Sequence, residues 1–346
     1  MVLINKKMKK IKLYQWLTVI VFIALYSCQE EGITDGYLSN DIRYETNPFV
    51  VRQGEIRSSP PLSVYGSTAP VEVELLDIRR VGSEETAEAW LQDYPTPIWV
   101  GAMDPEVDTT LAAILENKIE TRDLPVFRIE EIGGRIMISS QTWNVEPGEY
   151  TIDVRVSNSA GSRVVEDATT IIVEQGQDYR LGFQESFFTS VNQPQGWIWR
   201  PLEVEVNFDP SGSNKIILKW MDKNGDFFNP SEGEVINGWT EGWRHYFQEN
   251  TPWGYELTDE AMIFEFPYPP FPSNPQAWVY SYRIPSQFIS EYGEEWFADM
   301  DFNTRLHDIR VYKDGTYTFI IKCNDIERRD PNAPDPIVEE SEVEGE

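Results

Sequence analysis

Histidine and cysteine are nearly absent from this chain, and basic charge is scarce. Only His245 and His307 occur among its 346 residues. A Ser-His-Asp triad or a histidine-built zinc site would have to use one of them, and neither sits in such a motif. No glycine-rich phosphate loop opens a helix. Lys and Arg number 29 against 58 Asp and Glu, a net charge of −29. Such a field repels phosphodiester backbones and anionic lipid headgroups, so neither nucleic acid nor an anionic membrane surface is an expected partner. No cofactor, metal or catalytic residue is expected. Beyond the N-terminus no apolar run is long enough to cross a bilayer, which takes roughly 20 residues.

What is present begins with an export signal. Lys6, Lys7, Lys9, Lys10 and Lys12 form a positive start with no acidic residue. An apolar run follows from Leu13 to Tyr26, broken only by Gln15 and Thr18. It is 14 residues long, the length of a signal core rather than of a spanning helix. It ends in Leu25-Tyr26-Ser27-Cys28, which resembles a lipobox. Residues 1–27 are therefore expected to be removed and Cys28 to carry lipid. Each buried CH2 contributes about 0.8 kcal/mol, so several acyl chains anchor stably where one does not. Removing the five signal lysines leaves 24 basic against 58 acidic residues, a net charge of −34. Attachment must then come from the lipid. Gln29-Glu30-Glu31 resembles the acidic signal that carries Bacteroidota lipoproteins to the outer leaflet, facing the exterior. Cys323 has no disulfide partner left and ends an alternating stretch, Thr318 to Cys323; it is expected to be a buried structural thiol.

Apolar residues make up 40% of the chain and aromatics 13%, enough for a real core despite the acidity. The pattern predicts a mostly β protein. Residues 28–47 read as a tether. Residues 48–174 read as an immunoglobulin-like sandwich with one helix. Its last hairpin is the clearest signal: Tyr150, Ile152, Val154 and Val156 alternate with Thr151, Asp153, Arg155 and Ser157. The helix is expected to be capped by Asp104, with Pro105 in its first turn and Leu111, Ile114, Leu115 and Ile119 on one face. Residues 175–178 read as a linker. Residues 179–327 read as a second, aromatic-rich β-sandwich of jelly-roll type, with strands at Trp197–Phe208 and Leu306–Tyr312 among others. Lys313-Asp314-Gly315 reads as a hairpin turn. Residues 328–346 form an acidic tail expected to be disordered.

Eight of the 12 tryptophans lie between Trp197 and Trp296. Sugars offer flat C–H faces to stack on and a rim of hydroxyls to hydrogen-bond. Trp239, Trp243 and Trp253, in a loop-like stretch with Glu241, Arg244 and Gln248, supply both, and are the candidate glycan-binding residues; the same rings could instead pin long loops. Trp197, Trp199, Trp220 and Trp278 are expected in the core. Pro267 to Pro272 reads as a rigid extended loop packed on the sheet, or as a docking element. Asp222-Lys-Asn-Gly-Asp226 begins like a calcium loop but fails the EF-hand spacing: Phe227 and Gly233 stand where Gly and Glu are needed, so Asn224-Gly225 is expected as a hairpin turn between two strands rather than a calcium site. Glycoside hydrolysis needs only two carboxylates. Glu241, Glu249, Glu265, Glu294 and Glu295 lie among aromatics and would be its first suspects.

The segments GYLSNDIRYETNPFVVRQG, GSTAPVEVELLDIRR, EEIGGRIMISS, GEYTIDVRVSNSAGS, FPYPPFPSNP and YSYRIPSQFI resemble a domain-of-unknown-function family of Bacteroidota outer-membrane lipoproteins. The resemblance spans nearly the whole exported chain but brings no functional residues. In layout the chain is similar to the accessory lipoproteins of starch-utilisation-like systems. That implies a polysaccharide or oligosaccharide ligand, and a TonB-dependent transporter with its lipoprotein lid as partners. The alternatives are a structural subunit of such a complex, or a glycoside hydrolase.

Overall fold

The computed structural model describes residues 36–190, 193–238, 244–273, 278–293 and 300–332. Cys28, the expected signal and the last residues of the tail lie outside them. The protein is mostly β, with one α-helix among the described residues. No helix among them is long and apolar enough to cross a membrane.

The first half contributes β1 (Phe49–Arg52), β2 (Arg57–Ser58), β3 (Glu72–Arg80), β4 (Asp93–Trp99), α1 (Leu111–Asn117), β5 (Ile119–Pro125), β6 (Phe127–Ile129), β7 (Ile136–Ile138), β8 (Gly148–Asn158) and β9 (Gly161–Glu174). A sheet in the order β1-β9-β8-β3 faces a smaller one, β2-β7-β6. The alternation along β8 works as the pattern demands: Tyr150, Ile152, Val154 and Val156 are all buried. On β3 a bulge between Leu75 and Asp77 shifts the phase. Ile78 thereby joins Val73 inside, and Leu76 is left exposed.

The second half contributes β10 (Tyr179–Arg180), β11 (Gln184–Ser190), β12 (Gln193–Pro201), β13 (Glu203–Asp209), β14 (Lys215–Asp222), β15 (Ile236–Asn237), β16 (Arg244–His245), β17 (Glu256–Leu257), β18 (Met262–Glu265), β19 (Val279–Ile284), β20 (Ile289–Tyr292), β21 (Met300–His307), β22 (Arg310–Val311), β23 (Thr316–Cys323) and β24 (Ile326–Arg328). One sheet runs β12-β11-β21-β19-β15, with β16 added beside β19. The other runs β13-β23-β14-β18-β17, with β14 and β23 parallel. Between them lie Phe188, Tyr282, Phe302 and Leu306 from the first sheet and Leu218, Trp220, Phe264 and Phe319 from the second. Trp220 donates from Nε1 to Thr304 Oγ1 at 3.0 Å, so its one polar atom is satisfied.

Three expectations change here. The predicted strand Trp197–Phe208 is two strands in different sheets. Pro201 ends β12, because it cannot donate to a ladder, and the chain crosses to β13 at Leu202. The predicted strand Leu306–Tyr312 is interrupted at Asp308, whose φ is 52°. Lys313-Asp314-Gly315 turns the chain but joins no hairpin: β22 pairs with β10, and β23 pairs with β13 and β14. Trp199 also departs from its expected place. It faces outward, 46% exposed, against Phe187 and the buried Arg305.

The helix differs most. Asp104 does not cap it. Asp104 Oδ1 accepts from Glu106 N at 3.0 Å, and Asp104 N donates to Asp108 Oδ2 at 2.7 Å, which closes a separate turn. The cap is Thr110, whose Oγ1 accepts from Ala113 N at 3.2 Å. Starting there turns Ile114, fully buried, into the core of the second half, and Met103, Leu111 and Ile119 pack against that same core.

Candidate functional site

The two halves are braced where they meet. The expected linker is clamped rather than loose. Gly176 lies against the Trp143 indole so closely that a Cβ would sit 2.2 Å from the ring, so only glycine fits. Trp143 Nε1 donates to Tyr312 O at 3.2 Å. Lys313 Nζ sits 4.5 Å from the Trp143 ring centre and pairs with Asp178 at 2.7 Å.

A trough follows this junction. One wall is the β4–β5 ribbon, paired from Asp93↔Pro125 to Trp99↔Ile119. The other is the proline-rich loop, residues 267–272. That loop is rigid and packed, as its sequence suggests. Phe271 exchanges backbone hydrogen bonds with Val311 at 2.9 and 2.8 Å, and its ring stacks on Phe266. Tyr268 is thereby held against the ribbon, and burial pushes its phenol up to about 12.

The trough has three hollows that share walls. One, of about 250 Å³, is lined by Trp99, Met103, Glu249, Asn250, Trp253 and Tyr268, among others. A second, of about 530 Å³, includes Pro97, Thr121, Gln141, Trp143, Tyr268 and Lys313. A third, of about 240 Å³, includes Ile98, Trp99, Arg128, Met137, Ser140 and Tyr268. Trp99 is 38% exposed.

The polar groups of the first hollow are pre-set. Glu249 Oε1 accepts from Tyr246 N at 3.0 Å, and its Oε2 lies 2.8 Å from His245 Nδ1. The His245 ring is fixed by stacking on Trp278, with centroids 4.0 Å apart. Asn250 Nδ2 donates to Phe247 O at 3.2 Å and to Tyr280 Oη at 3.1 Å.

Of the candidate residues, Trp239, Glu241 and Trp243 lie outside the described residues. Trp253 does line the hollow, but mainly as a core residue. It is 8% exposed, and its Nε1 donates to Glu265 O at 3.0 Å. Arg244 lies on β16, paired with Val279. Gln248 is spent on structure: Nε2 donates to Asn237 Oδ1 at 3.2 Å, and Oε1 accepts from Tyr282 Oη at 2.9 Å. Sequence reasoning missed Trp99 and Tyr268. Tyr268 sits in a loop whose rigidity was legible. Nothing local marks Trp99, which meets that loop only in the folded chain.

Among the suspected carboxylates, Glu265 pairs with Lys215 at 3.2 Å, and Glu249 is held as described. Glu241, Glu294 and Glu295 lie outside the described residues. Asp222 serves its own turn. Its Oδ1 accepts from Asn224 N and Asp226 N at 2.8 and 2.9 Å, and its Oδ2 from Arg328 N at 2.9 Å. Cys323 is fully buried, and desolvation pushes its thiol well up.

No family model matches the chain. No curated protein matches it. Among solved structures, one similar chain is a SusE-like surface located polysaccharide binding protein from the Bacteroides thetaiotaomicron heparin utilisation locus, at 9% identity and a TM-score of 0.24. The match covers 82% of this chain and 53% of that one, so this chain spans about half its length. Another is the protocadherin gamma B7 extracellular region, cadherin domains 1–4, at 10% identity and a TM-score of 0.12, with 73% of each chain covered. Likenesses this distant carry no argument about the site.

Proposed function

We propose that this chain is a surface lipoprotein that binds glycan as an accessory of an outer-membrane nutrient-uptake system. The observation that carries the reading is the trough. Trp99, Tyr268 and the edge of Trp253 border a hollow that also holds Glu249 and Asn250. Flat rings beside fixed polar groups match the two surfaces of a pyranose. The lipobox at Cys28 and the acidic residues after it support a place on the outer leaflet of the outer membrane, facing out. A TonB-dependent transporter and its lipoprotein lid are the partners that such a place implies.

The test is retardation of purified residues 29–346 in native gels that contain a broad panel of polysaccharides. At least one should retard the protein, and Trp99→Ala should weaken binding about fivefold to tenfold, the loss of roughly 1 kcal/mol of ring contact. Trp99 is exposed, so its melting temperature should hold. If no polysaccharide retards the protein, the reading is wrong. Recovery of a transporter barrel from detergent extracts without added glycan would favour the structural-subunit alternative.

A further inference from the structure

We infer that the trough takes an extended, uncharged oligosaccharide laid across both halves, rather than a single sugar or an acidic chain. This rests on the glycan reading and specifies its substrate class. The first ground is shape. The hollows meet at Tyr268, which lines all three, and Trp99 lines two of them. Every hollow has an indole in its wall: Trp99 and Trp253 in the first, Trp143 in the second, and Trp99 again in the third. A compact ligand would occupy one hollow and leave the others to water. A chain of pyranoses occupies them in sequence and touches both halves.

The second ground is charge. The charged groups along the trough are Glu249, Asp314, Lys313 and Arg128, two of each sign. Lys313 is already paired with Asp178, and Glu249 with His245. Among the described residues of the trough no cationic cluster awaits sulfates or uronates, and the chain as a whole carries −29. The other polar side chains are neutral, among them Gln141, Ser140, Thr121 and Asn250. They suit hydroxyls. The third ground is rigidity. The Phe271–Val311 hydrogen bonds hold the loop wall, and Gln141 Nε2, donating to Pro95 O at 3.1 Å, ties the ribbon to the turn that carries Trp143, so little ordering opposes binding.

The experiment is calorimetric titration with malto-, cello- and xylo-oligosaccharides of one to six units, and with heparin and polygalacturonate. One neutral series should gain at least tenfold in affinity between two and six units. Thr121→Trp fills the large hollow from an exposed strand position, where Trp is well tolerated. It should bring the six-unit affinity down to within about twofold of the two-unit affinity of the same variant. Gln141→Ala, with melting checked for both variants, should weaken the six-unit sugar more than the two-unit sugar. Equal affinity for two and six units, an unaltered six-unit affinity in both variants, or tighter binding of the acidic chains would each overturn the inference while glycan binding stood. Binding of none of these sugars, together with an unretarded protein on the polysaccharide panel, would remove the glycan reading itself.

Discussion

Ile114→Ala tests the least expected feature of the fold, a first-half helix that fills the second-half core. Ile114 is fully buried there. The substitution removes three carbons, worth about 0.8 kcal/mol each, or roughly 2.4 kcal/mol of transfer free energy. A cavity adds to this, and buried Ile→Ala changes span about 2–5 kcal/mol. Two effects pull toward the low end. Helix α1 has seven residues and lies at the junction, so it can settle into the gap. Alanine also improves helix propensity by a few tenths of a kcal/mol. The expected loss is about 3 kcal/mol, read as a lower urea midpoint by tryptophan fluorescence with an unchanged slope. Leu115→Ala is the control. Leu115 is the next residue on the same helix but is exposed, so its loss should stay within about 0.5 kcal/mol. A loss below about 1 kcal/mol for Ile114→Ala, or equal losses for the two variants, would refute the placement of α1.

Three further outcomes are expected. Glu234 is buried and grips Arg328 through two hydrogen bonds of 2.6 and 2.8 Å, which ties β24 to the body. Glu234→Ala should cost about 2–3 kcal/mol in urea unfolding, below the full penalty for a broken buried pair because the guanidinium is partly exposed; adding Arg328→Met should recover much of it. The Asp104 backbone N–H, helped by the Lys118 ammonium, outweighs burial and holds the Asp108 carboxyl below its usual value. A depressed carboxyl stabilises the fold above its unfolded pKa of about 3.9, and that contribution disappears as pH falls through the folded value. The stability gap between the wild-type protein and Asp108→Asn should therefore be constant near pH 6 and close below pH of about 4, as measured by thermal melts. Cys323 should resist a thiol reagent in the folded protein and react on unfolding in urea, because the thiolate is suppressed by burial. Fast labelling of native protein would contradict its place in the core.

The alternating strands were legible because their signal is local. Tyr150, Ile152, Val154 and Val156 on β8, or Tyr317, Phe319 and Ile321 on β23, face one core whatever the rest of the chain does. The turn at Asn224-Gly225 was legible for the same reason, although a single bridge from Met221 to Phe227 stands where a second strand was expected; so was the packing of residues 267–272. The proposed export signal and the lipid on Cys28 rest on sequence alone, on positive charge, an apolar run and a small residue before cysteine. Tertiary structure decided what depends on distant neighbours. Which core receives Ile114 depends on where Thr110 starts the helix and on what waits opposite. Whether Lys313-Asp314-Gly315 closes a hairpin depends on the strands that capture β22 and β23. The trough exists only because Trp99 and Tyr268, far apart in the chain, are brought together by a ribbon and a loop whose composition says nothing of each other. Periodicity reports the side of a strand that meets a core, but only the closed chain determines what shares that core and what borders a cleft.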